Sequence, residues 1–224
     1  MNRQTRRLLF AVACIASSAA AQTPEKLDLT AVGKDPRWKI TGRTASVVDI
    51  KGKPALKISE GPGMGVVWLD GYRFGNGTIE IDLLGRSQPA GGSFLGIAFR
   101  AFRAVDEKTQ DALYFRPFNF RATDPERHSH AVQYVSHPRW SWDILRSQKP
   151  GEYEKPIVPE LDGDEWFHAR IVVERPKVSV FANDASAPCL VVNELSDRTD
   201  GSIGLWVGEG SGGYFANLRV TRTR

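Results

Sequence analysis

Thr78-Ile79-Glu80-Ile81-Asp82-Leu83 alternates apolar and polar side chains at almost every step. Successive side chains of an extended chain point to opposite faces, so Ile79, Ile81 and Leu83 share one face and Glu80 and Asp82 the other. The same rhythm recurs on both sides of this stretch. Phe94, Leu95, Ile97, Phe99 and Ala101 are predicted to be mostly core, with Gly96, Ala98 and Arg100 on the opposite face. Leu113 and Phe115 turn inward while Tyr114 and Arg116 turn out, and Ala131, Gln133 and Val135 oppose Val132 and Tyr134. Small residues beside Arg100, Tyr114, Arg116 and Gln133 predict a groove rather than a flat polar wall.

Strands are predicted at 45–49, 55–59, 65–69, 77–84, 94–101, 112–116, 131–135, 167–174, 177–182, 190–195, 201–207 and 214–221. Turn residues separate them, among them Gly75-Asn76-Gly77, Arg175-Pro176, Asp200-Gly201 and Gly210-Ser211-Gly212-Gly213. No stretch sustains a 3.6-residue period. A dozen short strands without intervening helices imply an all-β, two-sheet antiparallel sandwich. Two segments break the rhythm, residues 117–130 and 136–164, the second holding Pro138, Pro150, Pro156 and Pro159. Loops this long in a compact domain tend to be functional when ordered, and Phe118, Phe120, Trp140, Trp142 and Tyr153 argue for order.

The amino terminus reads as an export signal. Arg3, Arg6 and Arg7 precede the short apolar run Leu8 to Ser18, and Ala19-Ala20-Ala21 offers small residues for cleavage before Gln22. The run is too short for a membrane span, which needs roughly 18 to 20 apolar residues. The expected organisation is a signal peptide at 1–21 and one sandwich domain at 22–224, acting in the periplasm or outside the cell without a stable membrane anchor. Thr5-Arg6-Arg7-Leu8-Leu9-Phe10 leaves the choice between general and twin-arginine export open. Loss of the leader reduces 30 basic residues to 27 against 26 acids, so the basic balance belongs largely to the leader. A near-neutral mature chain argues against nucleic acid as a partner. Cys189 is then the only cysteine, so the fold rests on its core rather than on a disulfide.

Several later motifs carry a family resemblance. Leu161-Asp162-Gly163-Asp164-Glu165-Trp166-Phe167-His168-Ala169-Arg170-Ile171-Val172-Val173 resembles the "G-x-W-h-x-x-x-I/V" strand of laminin G-like and concanavalin A-like domains. Val178-Ser179-Val180-Phe181-Ala182-Asn183-Asp184 is similar to their following hairpin. Gly201-Ser202-Ile203-Gly204-Leu205-Trp206 and Gly213-Tyr214-Phe215-Ala216-Asn217-Leu218-Arg219-Val220 resemble their last two strands. The resemblance implies a concanavalin A-like jelly roll, in which Trp166, Asn183, Asp184 and Phe215 are fold markers. Within that superfamily the chain is also similar to the bacterial 3-keto-disaccharide hydrolase-like domain. Of that family's "Y-E-x-Q" strand, Ala131-Val132-Gln133-Tyr134 keeps only Gln133.

Sugars present an apolar ring face and a rim of hydroxyls, so proteins hold them with aromatic rings and with charged or amide side chains. Arg100, Tyr114, Arg116, Asn119, Arg121, Gln133, His137, Trp140 and Trp142 supply both kinds and are the candidate ligand-binding residues. An anionic sugar would suit Arg100 and Arg116. The expected partner is therefore a carbohydrate. Two alternatives stay open, a glycoside-cleaving enzyme and a structural or adhesion module. For an enzyme, His128 and His130 are candidate bases or metal ligands, with Glu80 and Asp82 assisting. Glu80-Ile81-Asp82 also resembles the "E-x-D-x-x-E" strand of family-16 glycosidases, but Gly85 stands where the second glutamate would supply the acid. A divalent metal is left open, since His128 and His130 stand at a spacing that suits a transition metal on a strand.

Overall fold

The computed structural model describes residues 23–102 and 109–223, so the leader expected at 1–21 lies outside the described residues. The chain opens with β1 (Glu25–Lys26), β2 (Trp38–Thr41), β3 (Ala45–Ile50), β4 (Lys53–Ile58) and β5 (Gly65–Phe74). Next come β6 (Asn76–Leu84), β7 (Leu95–Ala101), β8 (Gln110–Phe115), α1 (Pro125–Ser129), β9 (Val132–His137), α2 (Trp142–Gln148) and β10 (Glu154–Lys155). It closes with β11 (Phe167–Glu174), β12 (Lys177–Ala182), β13 (Leu190–Asn193), β14 (Gly201–Val207) and β15 (Gly213–Thr223).

Two antiparallel sheets form a jelly-roll sandwich. One runs β13-β12-β11-β6-β15-β4-β3, with β1 added on β15, and the other runs β10-β9-β8-β7-β14-β5-β2. About half of the neighbouring pairs, among them β11–β6, β6–β15, β15–β4, β7–β14 and β14–β5, join strands far apart in sequence, which ties both halves of the chain into one core. Ile79, Ile81 and Leu83 of β6 are fully buried, as the alternation predicts. Across the sandwich, the Phe115 and Phe167 rings meet edge to face at 5.1 Å, so Leu113 and Phe115 face the core. Tyr114 and Arg116 therefore point out of the sandwich. The fold agrees with the sequence reading.

Five elements differ from the expectation, two of them the strands β1 and β2, which precede the first predicted strand. The segments read as long loops contain α1, α2 and the two-residue strand β10, which pairs with β9. These helices are too short to carry a periodic signal. Asn183 has the positive φ of 49° expected of its turn.

Arg100 is a correction. It does not share a face with Gly96 and Ala98. The β7–β14 pairing slips between Ala98 and Ala101, which face Gly204 and Ser202, and Arg100 takes a φ of 50°. Such a bulge turns one side chain to the other face of the strand. Arg100 is fully buried, ion-paired with Glu194 at 2.5 Å and bonded to the Gly75 carbonyl and Asn76 Oδ1. It is an internal tie, with no access to a groove. Replacing one member of a buried pair strands the other charge, which typically costs about 3–5 kcal/mol, whereas replacing both is far milder. Arg100→Met is accordingly expected to lower the urea midpoint strongly, and Arg100→Met with Glu194→Leu to recover most of the loss. Equal midpoints for Arg100→Met and the unaltered protein would contradict a buried pair.

Candidate functional site

The face of the seven-stranded sheet turned away from the core is built around Gly96. Strand register places Trp206, Gly96, Tyr114, Gln133 and Glu154 side by side, one from each of β14, β7, β8, β9 and β10. A Cβ on Gly96 would stand 2.0 Å from the Leu113 carbonyl oxygen and 2.6 Å from Tyr114 Cα. Without one, the Tyr114 and Trp206 rings meet over the bare backbone, stacked at 4.8 Å and 29°. Phe94 closes edge to face on both Tyr114, at 6.1 Å, and Phe118, at 5.2 Å.

Above this floor lies a cavity of about 800 Å³, within the range of small-molecule sites. Tyr114, Arg116, Asn119, His130, His137 and Trp142 line it, joined by Phe94, Phe118, Arg127, Arg146 and Trp206. The segments 117–130 and 136–150 supply most of the wall, so the long irregular stretches lead straight to the site. Gly63, Met64, Gly208 and Glu209 line the remaining side. Arg43 holds that side together, donating to the carbonyls of Pro62, Gly63 and Gly208 at 2.6 to 2.9 Å.

One carboxylate organises the charged wall. Glu154 accepts Arg146 Nε at 2.9 Å and Nη2 at 2.8 Å, and lies 3.3 Å from His130 Nε2 and 3.5 Å from Arg116 Nη1. Arg116 also donates to the His130 carbonyl at 2.7 Å, to the Tyr114 hydroxyl at 3.0 Å and to Gln133 Oε1. The Tyr114 hydroxyl in turn donates a hydrogen bond to Gln133 Oε1 at 3.0 Å. Burial pushes the Tyr114 phenol up, so it stays protonated and can donate. Burial lowers His130, with Arg146 and Arg116 acting in the same direction against Glu154. Burial lowers His137 as well, aided by Arg198. Both rings are neutral at pH 7, so both can take a proton.

Not every predicted residue reaches the cavity. Gln133 lies beneath it, bonded to Tyr114 and Arg116. Arg121 is exposed and paired with Glu160 and Asp162, and Trp140 packs against the core under Arg139. Neither is among the lining residues, and Arg100 is inside the sandwich. His128 belongs to α1 and His130 caps it, so the strand-like spacing proposed for a metal is absent. Among the described residues no three His, Cys, Asp or Glu side chains are grouped to hold a metal ion. Glu154 and Trp206 escaped the sequence reading. Trp206 was legible in principle, since Ile203, Leu205 and Val207 alternate with it.

Glu80 and Asp82 lie on the other sheet's outer face, so they cannot assist His130. Asp82 Oδ1 is 2.8 Å from His168 Nδ1, while its Oδ2 accepts Lys53 Nζ and Asn217 Nδ2, each at 2.7 Å. Glu80 lies 3.6 Å from His168 Nε2. Burial works against ionised Asp82, but the bonds from His168, Lys53 and Asn217 outweigh it and hold the carboxyl well below its usual range. The bond to Asp82 raises His168 above its ordinary value near 6.5.

The sequence matches the 3-keto-alpha-glucoside-1,2-lyase-like domain over residues 31–221. The chain belongs to this family. Its fold is that of several solved carbohydrate-associated domains. The carbohydrate-binding module CBM66 from Bacillus subtilis superposes with a TM-score of 0.54 at 15% identity, over 81% of this chain and 97% of that one. The exoplasmic/lumenal domain of VIP36, in a Ca2+-bound form, gives a TM-score of 0.57 at 11% identity over 86% of each chain. Domain 4 of AbnA, a GH43 extracellular arabinanase from Geobacillus stearothermophilus solved with arabinotriose, gives 0.50 at 15% identity, over 82% of this chain and 81% of that one. At such identities the likeness is one of fold. No curated protein sequence matches this chain.

The raised His168 value fixes the sign of a pH effect away from the cavity. The fold favours the protonated ring, so its stabilisation is complete below about 6.5 and is lost as pH rises through the higher folded value. The unaltered protein is expected to lose thermal stability between pH 6 and pH 9 more steeply than His168→Gln. Parallel profiles would contradict the His168–Asp82 coupling.

Proposed function

We propose that this protein binds a saccharide in the cavity on the outer face of the seven-stranded sheet. The observation that carries the reading is the Tyr114–Trp206 ring pair laid over Gly96 and walled by Arg116, Asn119, His130 and Arg146. An apolar platform beside a rim of hydrogen-bonding groups matches the two surfaces of a pyranose. The fold neighbours support it, since one is a carbohydrate-binding module and another was solved with arabinotriose. The leader-like residues 1–21 support action in the periplasm or outside the cell. No helix among the described residues is long and apolar enough to cross a membrane.

A second reading, eliminative cleavage of a 3-keto glycoside, is favoured by the family and by His130. A neutral ring carrying its proton on Nε2, which lies 3.3 Å from Glu154, keeps Nδ1 as a base. A ketone at C3 acidifies the hydrogen on C2. His130 Nδ1 would take that proton, the C2 electrons would form a C1–C2 double bond, and the C1–O bond would break. The departing oxygen takes up a proton and leaves as an alcohol.

One experiment tests both readings. Methyl α-D-glucopyranoside and its 3-keto derivative are titrated calorimetrically, while methanol release is followed by NMR. Binding is expected in the unaltered protein and a loss of about tenfold or more in Trp206→Ala. His130→Gln should retain binding and slow methanol release by about 10² or more. Absence of binding by either glycoside contradicts the first reading, and binding without release contradicts the second.

A further inference from the structure

We infer that two uncharged side chains, Asn119 and Trp206, rather than Arg116 and Arg146, read the ligand's hydroxyl pattern and fix its orientation. The inference rests on the saccharide reading above and concerns which groups of that cavity remain free to bond.

Arg116 and Arg146, two of the three arginines that line the cavity, are already engaged with their neighbours, while the third, Arg127, is exposed and gives one N–H to the Phe118 carbonyl at 3.3 Å. Arg146 gives two N–H groups to Glu154, and Arg116 gives its own to the His130 carbonyl, Tyr114 and Gln133. The two uncharged groups stand differently. Asn119 ends the 3₁₀ turn Pro117–Asn119 and is 4% exposed. Its Nδ2 donates to the His130 carbonyl at 3.3 Å, which settles the amide's orientation and leaves Oδ1 turned away from that bond. Oδ1 is buried and accepts no hydrogen bond among the described residues. Trp206 is 6% exposed, and its buried Nε1–H likewise has no acceptor among the described residues. Both residues line the cavity. Buried polar atoms are nearly always paired, and an unpaired one disfavours the free protein until a partner arrives. An unsatisfied acceptor and an unsatisfied donor on two residues that line one cavity, both shielded from solvent in the free protein, suit a ligand whose hydroxyls reach them as it packs in.

The two groups differ in what they accept. Asn119 Oδ1 requires a donor, so it takes a hydroxyl and rejects a ketone or a carboxylate. Trp206 Nε1–H requires an acceptor, so it takes a hydroxyl oxygen, a ring oxygen or a ketone. A 3-keto glycoside therefore turns its carbonyl away from Asn119 and presents a hydroxyl there. An anionic sugar cannot place its carboxylate against Asn119.

The test pairs variants with deoxy sugars. Methyl α-D-glucopyranoside and its 2-deoxy, 4-deoxy and 6-deoxy analogues are titrated into the unaltered protein, Asn119→Leu and Trp206→Phe. Asn119→Leu leaves the His130 carbonyl bonded to Arg116 and removes an unpaired buried atom, so its melting temperature should not fall. Each variant is expected to bind the parent glucoside about five- to tenfold more weakly. One deoxy analogue should bind the unaltered protein weaker by a similar factor and lose nothing further in Asn119→Leu. Variants that bind the parent as tightly as the unaltered protein overturn the inference while leaving saccharide binding intact. Loss of every analogue by one common factor in Asn119→Leu also overturns it. If no glucoside binds the unaltered protein, the saccharide reading falls and this inference with it.

Discussion

Gly96 is where two demands on the seven-stranded sheet meet. Its backbone approaches Leu113 and Tyr114 too closely for any Cβ, and its missing side chain is what brings the Tyr114 and Trp206 rings face to face. A larger residue would push β7 away from β8 and separate the rings. The platform is thus set by strand pairing, which is among the stiffest features of a sandwich. Stacked aromatic pairs are worth about 0.5–1.5 kcal/mol beyond burial, enough to hold the floor in one arrangement. The site inherits its precision from the fold.

The wall is stiffened by different means. Glu154 sits on a two-residue strand, yet it gathers Arg146 from α2, Arg116 from the end of β8 and His130 from the cap of α1. One carboxylate therefore fastens three irregular segments to the sheet. Such buried charges are costly unless fully paired, and here nearly all their hydrogen bonds close on one another. The positive charge of the wall orients the scaffold more than it recruits an anion.

The alternation of β6, β8 and β9 made the sandwich legible, and with it the outward direction of Tyr114, Arg116 and Gln133. Proline spacing and aromatic content pointed to the segments that became the cavity wall. What stayed hidden has identifiable causes. Arg100 was misplaced because a bulge breaks the two-residue period, and no local residue announces it. Glu154 lies on a strand too short for any pattern, and its partners are distant in sequence. Trp206 sat inside a strand that resembled a family motif, so its outward face went unread. Glu80 and Asp82 were placed correctly on an outer face, but on the opposite sheet from the histidines. Pairing order decides that, and composition does not encode it.

The central claim is that the Gly96 floor is the ligand platform. A crystal structure of the protein soaked with methyl α-D-glucopyranoside tests it most directly. The sugar is expected against the Tyr114 and Trp206 rings, with a hydroxyl within hydrogen-bond distance of Asn119 Oδ1. Sugar density on the opposite sheet beside Glu80 and Asp82, with the Gly96 face left empty, would contradict it.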